Sequence, residues 1–302
     1  MVVSSLLDLI GNTPLVELPR LSPHGRTIYA KLEGQNPTGS IKDRVALAMV
    51  EAAELQPGQE LLEPTCGNTG ISLALVAKLK VLKLTCVMPS NATPVRRALL
   101  ELYGATIIDS PGEKGSNGAV RMAQEISAAD DRYVMLFQYA NEANPRAHYD
   151  GTGAEIVRDL ERVDALVAGL GTGGTLMGTA RRLREAFPDV EIVAAEPLPG
   201  DPVMGLRSLE DGYVPPILDV GQLDRKLLVS NAEAAAAVRV LLEREGLFAG
   251  VSSGAVVHVA RRIADELPEG AVVVAVLADG GWKYLSAPFW SGEEIDEAVL
   301  WW

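Results

Sequence analysis

Lys42 stands in the run Asn36-Pro37-Thr38-Gly39-Ser40-Ile41-Lys42-Asp43-Arg44. Pro37 and Gly39 make a turn, Ser40 suits an N-cap, and the pattern predicts a helix over 41–55 with Lys42 in its first turn. The positive end of a helix disfavours an ammonium, so a lysine there is a candidate for a lowered pKa and a nucleophilic amine. On this motif alone an ordinary solvated lysine is the better reading.

Three further glycine turns follow. Glu63-Pro64-Thr65-Cys66-Gly67-Asn68-Thr69-Gly70 joins a predicted strand to a helix opening at Ile71, and its hydroxyl, thiol and amide side chains lie where backbone N–H groups can receive a carboxylate or phosphate. A capped strand-to-helix loop has the same composition. Gly169-Leu170-Gly171-Thr172-Gly173-Gly174-Thr175 has the flexibility to wrap a phosphate before a helix from Leu176. Gly169, Gly171 and Gly174 also satisfy G-x-G-x-x-G, with Glu196 at the distance of a ribose-binding acid, so a nicotinamide-dependent oxidoreductase competes. No Gly-Lys-Ser/Thr follows, which excludes a P-loop. Gly250-Val251-Ser252-Ser253-Gly254 opens another helix.

These turns need a scaffold of strands ending in loops. Short β-branched runs at 27–32, 60–63, 83–88, 105–109, 133–138, 165–168, 191–195 and 271–277 alternate with helical patterns at 41–55, 71–79, 94–103, 118–127, 152–160, 176–187 and 232–245. Strand then helix, repeated, predicts an α/β fold with parallel-rich twisted sheets covered by helices. An eight-stranded barrel fits the alternation but not the uneven spacing. Two domains are expected, 1–146 and 147–302, divided near the Asn- and Pro-bearing stretch 141–150, with roughly the first 35 residues packing on the second domain.

Composition narrows the class. In 302 residues, 27 Lys plus Arg against 40 Asp plus Glu give a formal charge of −13, which argues against nucleic-acid or anionic-membrane partners. The three histidines, His24, His148 and His258, and the two cysteines, Cys66 and Cys86, show no metal-ligand spacing, so no metal is expected. Neither a signal-peptide pattern nor a long apolar span is read, and a cytoplasmic location is the expectation.

Taken together, the four turns, in this order and separation, resemble the cysteine synthases among the fold-type II pyridoxal-phosphate enzymes, from Gly11-Asn12-Thr13-Pro14-Leu15 to beyond Gly281. The resemblance implies a tryptophan synthase β-subunit-like fold and pyridoxal 5′-phosphate held on Lys42. It assigns Gly171, Thr172, Gly173, Gly174 and Thr175 to the cofactor phosphate, Asn68 to the ring hydroxyl and Ser252 to the pyridine nitrogen. Thr65, Cys66, Asn68, Thr69 and Gln138 would receive the substrate carboxylate. Lys42 would remove the α-proton, and a sulfur nucleophile would add to an aminoacrylate to give L-cysteine. The family pattern has serine where this chain has Cys66, a weaker donor that ionises more easily.

Within that family, Gly205 to Pro215 and the ending Val299-Leu300-Trp301-Trp302 are most similar to O-phosphoserine sulfhydrylases that use a thiocarboxylated sulfur-carrier protein. This implies that Arg207 contacts a substrate phosphate, that the tail enters the active site, and that the chain forms a homodimer. O-acetylserine sulfhydrylase and cystathionine β-synthase activities stay open, as does a catalytically idle binding paralogue. A surface arginine paired with Glu210 or Asp211 is the plain alternative for Arg207.

Overall fold

The computed structural model describes residues 2–65, 67–285 and 290. Its first half runs β1 (Leu15–Glu17), β2 (Thr27–Leu32), α1 (Lys42–Ala52), β3 (Glu60–Pro64), α2 (Asn68–Leu79), β4 (Leu84–Pro89), α3 (Pro94–Tyr103), β5 (Thr106–Ser110), α4 (Gly115–Ala129) and β6 (Tyr133–Met135). The second half runs α5 (Ala143–Ala147), α6 (Ala154–Asp159), β7 (Ala165–Gly169), α7 (Gly174–Ala186), β8 (Glu191–Pro197), β9 (Arg225–Val229), α8 (Asn231–Glu245), α9 (Val251–Glu266) and β10 (Val272–Leu277).

Two sheets result. One has the order β5-β4-β3-β6 and is wholly parallel. The other has the order β1-β2-β10-β7-β8-β9, with β1 alone antiparallel. The first two strands of the chain thus join the sheet built mainly by its second half. The middle strands are buried on both faces, as β4 is at every position, which is why they read as continuous apolar runs rather than alternating ones. In open parallel sheets binding loops gather beyond the carboxyl ends of strands. Here the loops after β3, β7 and β10 begin there, at Thr65, Leu170 and Ala278.

Several elements differ from the sequence expectation. The three-residue β1 and the charged edge strand β9 escaped notice, because Arg225 and Lys226 break any apolar run. The expected strand over 133–138 stops at Met135, since Phe137 adopts φ 53, a left-handed conformation that ends pairing. The helix expected over 152–160 is one part of a longer helical stretch, in which His148–Gly153 forms a π-helical turn between α5 and α6. Its glycines are where neighbours crowd in: a Cβ on Gly151 would lie 2.8 Å from Arg44 Nη1, and one on Gly153 would lie 2.7 Å from Arg182 Cβ.

A buried ionic cluster ties α1 to both halves of the chain. Arg44 donates to Glu33 and to Glu155 at 2.7 Å each, and Lys31 donates to Glu155 at 2.6 Å. Thr13 and Asn36 donate to Glu33 at 2.7 and 2.9 Å. All six side chains are buried. The two acids offset the two bases, and the hydrogen bonds offset a desolvation that would otherwise be severe. Arg44 lies two residues after Lys42, so the cluster anchors the helical turn that presents the lysine.

Candidate active site

The Lys42 loop is held by strand pairing. Ser40 bridges Asp279, Ile41 N donates to Ala278 O at 2.8 Å, and α1 begins at Lys42. Ser40 is therefore not the cap. Its backbone is drawn into the bridge, Ile41 occupies the cap position without a side-chain bond, and Ser40 Oγ is 3.4 Å from Lys42 N. The Lys42 amine is held below its ordinary pKa, chiefly by burial, with the Asp279 and Glu33 carboxylates opposing. Loss of hydration, rather than the helix end invoked from sequence, is thus the larger cause.

Lys42 opens on a cleft whose lining includes Gly171, Gly173, Thr175, Gly205 and Ser252. Gly173 has φ 88 and caps α7, and Gly174 is the first residue of that helix. A Cβ on Gly174 would lie 2.0 Å from Asn144 Oδ1. The glycine here admits a neighbouring side chain rather than a special backbone angle. Thr172 Oγ1 accepts from Asn144 Nδ2 at 3.0 Å and from Gly174 N at 3.3 Å. Thr175 Oγ1 is 3.3 Å from Nε2 of His148, a buried ring that desolvation keeps neutral. Ser252 lies in the first turn of α9 and is buried. A cleft lined by glycines, an amine, a helix N-terminus and a neutral hydroxyl fits a phosphorylated aromatic aldehyde.

The second loop forms a separate polar wall. Thr65 Oγ1 accepts from Gly70 N at 3.0 Å and folds the loop onto itself. Thr69 donates to Gln138 Oε1 at 2.7 Å, bringing together two residues that sequence placed in one pocket. Glu63 accepts from the N–H groups of Phe137 and Gln138 at 2.7 and 3.1 Å, so a buried carboxyl holds the left-handed turn that aims Gln138. Asn144 Nδ2 donates to Gln138 O at 2.8 Å as well as to Thr172, joining this wall to the glycine loop. Asn68, the first residue of α2, donates to Asp279 at 2.7 Å and accepts from Lys283 at 2.7 Å. Cys66 lies outside the described residues, as do Trp301 and Trp302. Cys86 is a buried thiol whose pKa burial drives far up, which makes it unreactive.

Arg207 is half-buried against two aromatic rings, its guanidinium carbon 5.3 Å from the Tyr139 centroid and 5.2 Å from that of Tyr213. Its Nη1 is 3.5 Å from Asn117 Oδ1 on α4. Glu196, the acid of the dinucleotide reading, is buried and engaged by Leu209 N at 2.7 Å and Lys226 Nζ at 3.0 Å. It has no face to offer a ribose.

The sequence profile of the pyridoxal-phosphate dependent enzymes matches residues 6–279. The chain belongs to this family. It is 42% identical over 289 residues to cysteine synthase B of Pseudomonas aeruginosa, covering 94% of this chain and 96% of that protein. Among solved structures, O-ureido-L-serine synthase superposes with a TM-score of 0.91 at 38% identity, over 99% of both chains. The cysteine synthase of Entamoeba histolytica gives 0.90 at 29% identity, over 99% of this chain and 94% of that one. The chain is a cysteine synthase-like, pyridoxal-phosphate-dependent enzyme with the two-sheet α/β fold of that group, and the oxidoreductase reading falls. Among the described residues no helix is long and apolar enough to cross a membrane, and no group of three or more His, Cys, Asp or Glu is placed to hold a metal.

Sequence reasoning missed Asp279, Lys283, Asn144 and Glu63. For Asp279 a signal existed, a carboxylate just past the carboxyl end of a buried parallel strand. The other three carry no local mark.

Proposed function

We propose that this enzyme replaces the phosphate of O-phosphoserine with sulfur to give L-cysteine, taking the sulfur from sulfide or from the thiocarboxylate of a small carrier protein. The observation that carries the leaving-group choice is Arg207, whose guanidinium lies against the rings of Tyr213 and of Tyr139, the residue after Gln138 in the chain. The two rings hold the guanidinium by cation–π attraction, and a guanidinium can meet a phosphate with two parallel hydrogen bonds. An acetate leaving group needs no such cation.

The other residues take roles that this geometry supports. Backbone N–H groups of Gly171 to Thr175, at the α7 N-terminus, hold the cofactor phosphate. Asn68 faces the ring hydroxyl, and Ser252 offers the ring nitrogen a neutral hydroxyl. When bound, the cofactor supplies an electron sink for the substrate α-carbon. The α2 N-terminus with Thr65, Cys66, Asn68, Thr69 and Gln138 binds the substrate carboxylate. Lys42 Nζ, kept poorly hydrated, takes the α-proton as general base. A tail ending in Trp301 and Trp302 shields the site from water, and the chain works as a cytoplasmic homodimer with domains dividing near residue 146.

Steady-state comparison of the two esters tests the leaving group. Arg207→Ala should lower kcat/KM for O-phosphoserine roughly 10- to 100-fold, the worth of a charge-assisted contact, and leave O-acetylserine within about threefold. Equal losses on both esters would overturn the phosphate role of Arg207 and the O-phosphoserine assignment with it.

A further inference from the structure

The amide of Asn68 is held by two groups that leave it one orientation. Lys283 Nζ is donor-only and lies 2.7 Å from Asn68 Oδ1, while the Asp279 carboxylate lies 2.7 Å from Asn68 Nδ2. With Lys283 as an ammonium, which cannot accept, and Asp279 as a carboxylate, which cannot donate, the two partners assign the oxygen and nitrogen of the amide. One N–H of Nδ2 goes to Asp279. The other is left over.

Asp279 is itself tied to the segments that carry Lys42 and Ser252. Its backbone bridges Ser40, two residues before Lys42, and its carbonyl accepts from Gly250 N at 3.1 Å, at the head of the helix carrying Ser252. Its Oδ2 also accepts from Tyr284 at 2.5 Å. Its Oδ1 is buried without a partner and lies 2.1 Å from where a Cβ on Gly250 would be. Asp279 is 2% exposed and Tyr284 5%. Ala278, the preceding residue, lines the same cleft as Lys42.

We infer that Asp279 and Lys283 are positioning residues for the cofactor, locking the Asn68 amide so that its remaining N–H is presented to the ring hydroxyl. The inference rests on the assignment of Asn68 to that hydroxyl. Neither residue needs to touch the cofactor. A lone asparagine at a helix start could rotate its amide and offer oxygen instead, which would repel the ring oxygen when that is ionised. Lys42, Asp43, Arg96 and Tyr284 are the other titratable groups that face this pair, and Lys283→Arg keeps the local charge balance among them.

The test compares holoenzymes of Lys283→Met, Lys283→Arg, Asn68→Ala and the double variant Asn68→Ala/Lys283→Met. It reads the visible absorption band of the bound cofactor and its dissociation constant, with thermal unfolding of each apoprotein as the fold control. Asn68→Ala should shift the band and weaken binding. Lys283→Met should shift it in the same direction and weaken binding about tenfold, Lys283→Arg should restore both, and the double variant should match Asn68→Ala alone. If Asn68→Ala leaves band and affinity unchanged, the Asn68 assignment fails. If Asn68→Ala has its effect while Lys283→Met has none, or the two effects add, the positioning role is overturned. Should Lys283→Met fail to fold, Asp279→Asn takes its place under the same criteria, and if both unfold the pair is structural and the inference is wrong.

Discussion

Gly174→Ala adds one methyl group where the structure has no room for it. A Cβ there would lie 2.0 Å from Asn144 Oδ1 and 2.4 Å from Asn144 Cγ, far inside contact distance. The Asn144 side chain would have to move, giving up its bonds to Gln138 O and Thr172 Oγ1 at 2.8 and 3.0 Å. Each buried partner left unpaired costs about 1–3 kcal/mol. Replacing Gly with Ala within a helix returns about 0.5–1 kcal/mol, and no left-handed φ opposes it at Gly174. The net expectation is a loss of about 1–5 kcal/mol, measured by urea unfolding of the apoprotein, with weaker cofactor binding because the displaced loop carries Gly173 and Thr175. The decisive arm uses Asn144→Ala. That variant pays for the same two bonds, and in its background Gly174→Ala should be neutral or stabilise by up to about 1 kcal/mol. If Gly174→Ala costs less than about 0.5 kcal/mol alone, or costs as much in the Asn144→Ala background, the reasoning that Asn144 fills the space over this glycine is refuted.

Other outcomes follow from the same geometry. Arg44→Met leaves Glu33 without a cationic partner and Glu155 with Lys31 as its one remaining cation among the described pairs, so apoprotein stability should fall by about 3–5 kcal/mol in denaturant melts; a loss under about 1 kcal/mol would show the cluster to be solvated. Lys42→Ala should abolish turnover while unfolding within about 1 kcal/mol of wild type, and retained turnover with either ester removes it as the base. Burial pushes the Glu63 carboxyl up to about 8, against the N–H groups of Gln138 and Phe137. The folded protein then holds this proton more tightly than the unfolded chain, so the contribution is full below the unfolded pKa and is lost as pH rises through the folded one. Stability should decline between about pH 5 and pH 8, and Glu63→Gln should flatten that decline; an identical slope in the variant contradicts it. His148 has the opposite sign. Its folded pKa is depressed, so the stability it contributes is lost as pH falls below about 6.5, and His148→Gln should remove that acid-side loss in unfolding measured against pH.

The glycine loops and the strands that feed them were readable because their causes are local. Turn residues, helix starts and apolar runs are properties of neighbours in sequence, and eight of the strands follow from them. Lys42 could be singled out by its place at a predicted helix start, and the order of four turns was enough to find the family. Their limits were local too: the strand cut short by the left-handed Phe137 and the missing Ser40 cap both answer to partners elsewhere, Glu63 in one case and Asp279 in the other.

Whatever joins distant segments was decided by tertiary structure alone. Asn68 and Asp279 are 211 residues apart, and Asn68 and Lys283 are 215 apart, so no window of sequence contains either pair. The same holds for Arg207 against Tyr139 and Tyr213, and for Asn144 set against Gly174. Even the lowered pKa of Lys42, foreseen from the helix end, has burial as its larger cause. Sequence named the loops because backbone conformation is set nearby; the fold alone chose which side chains face one another, because desolvation and hydrogen-bond partnership depend on what lies across the cleft.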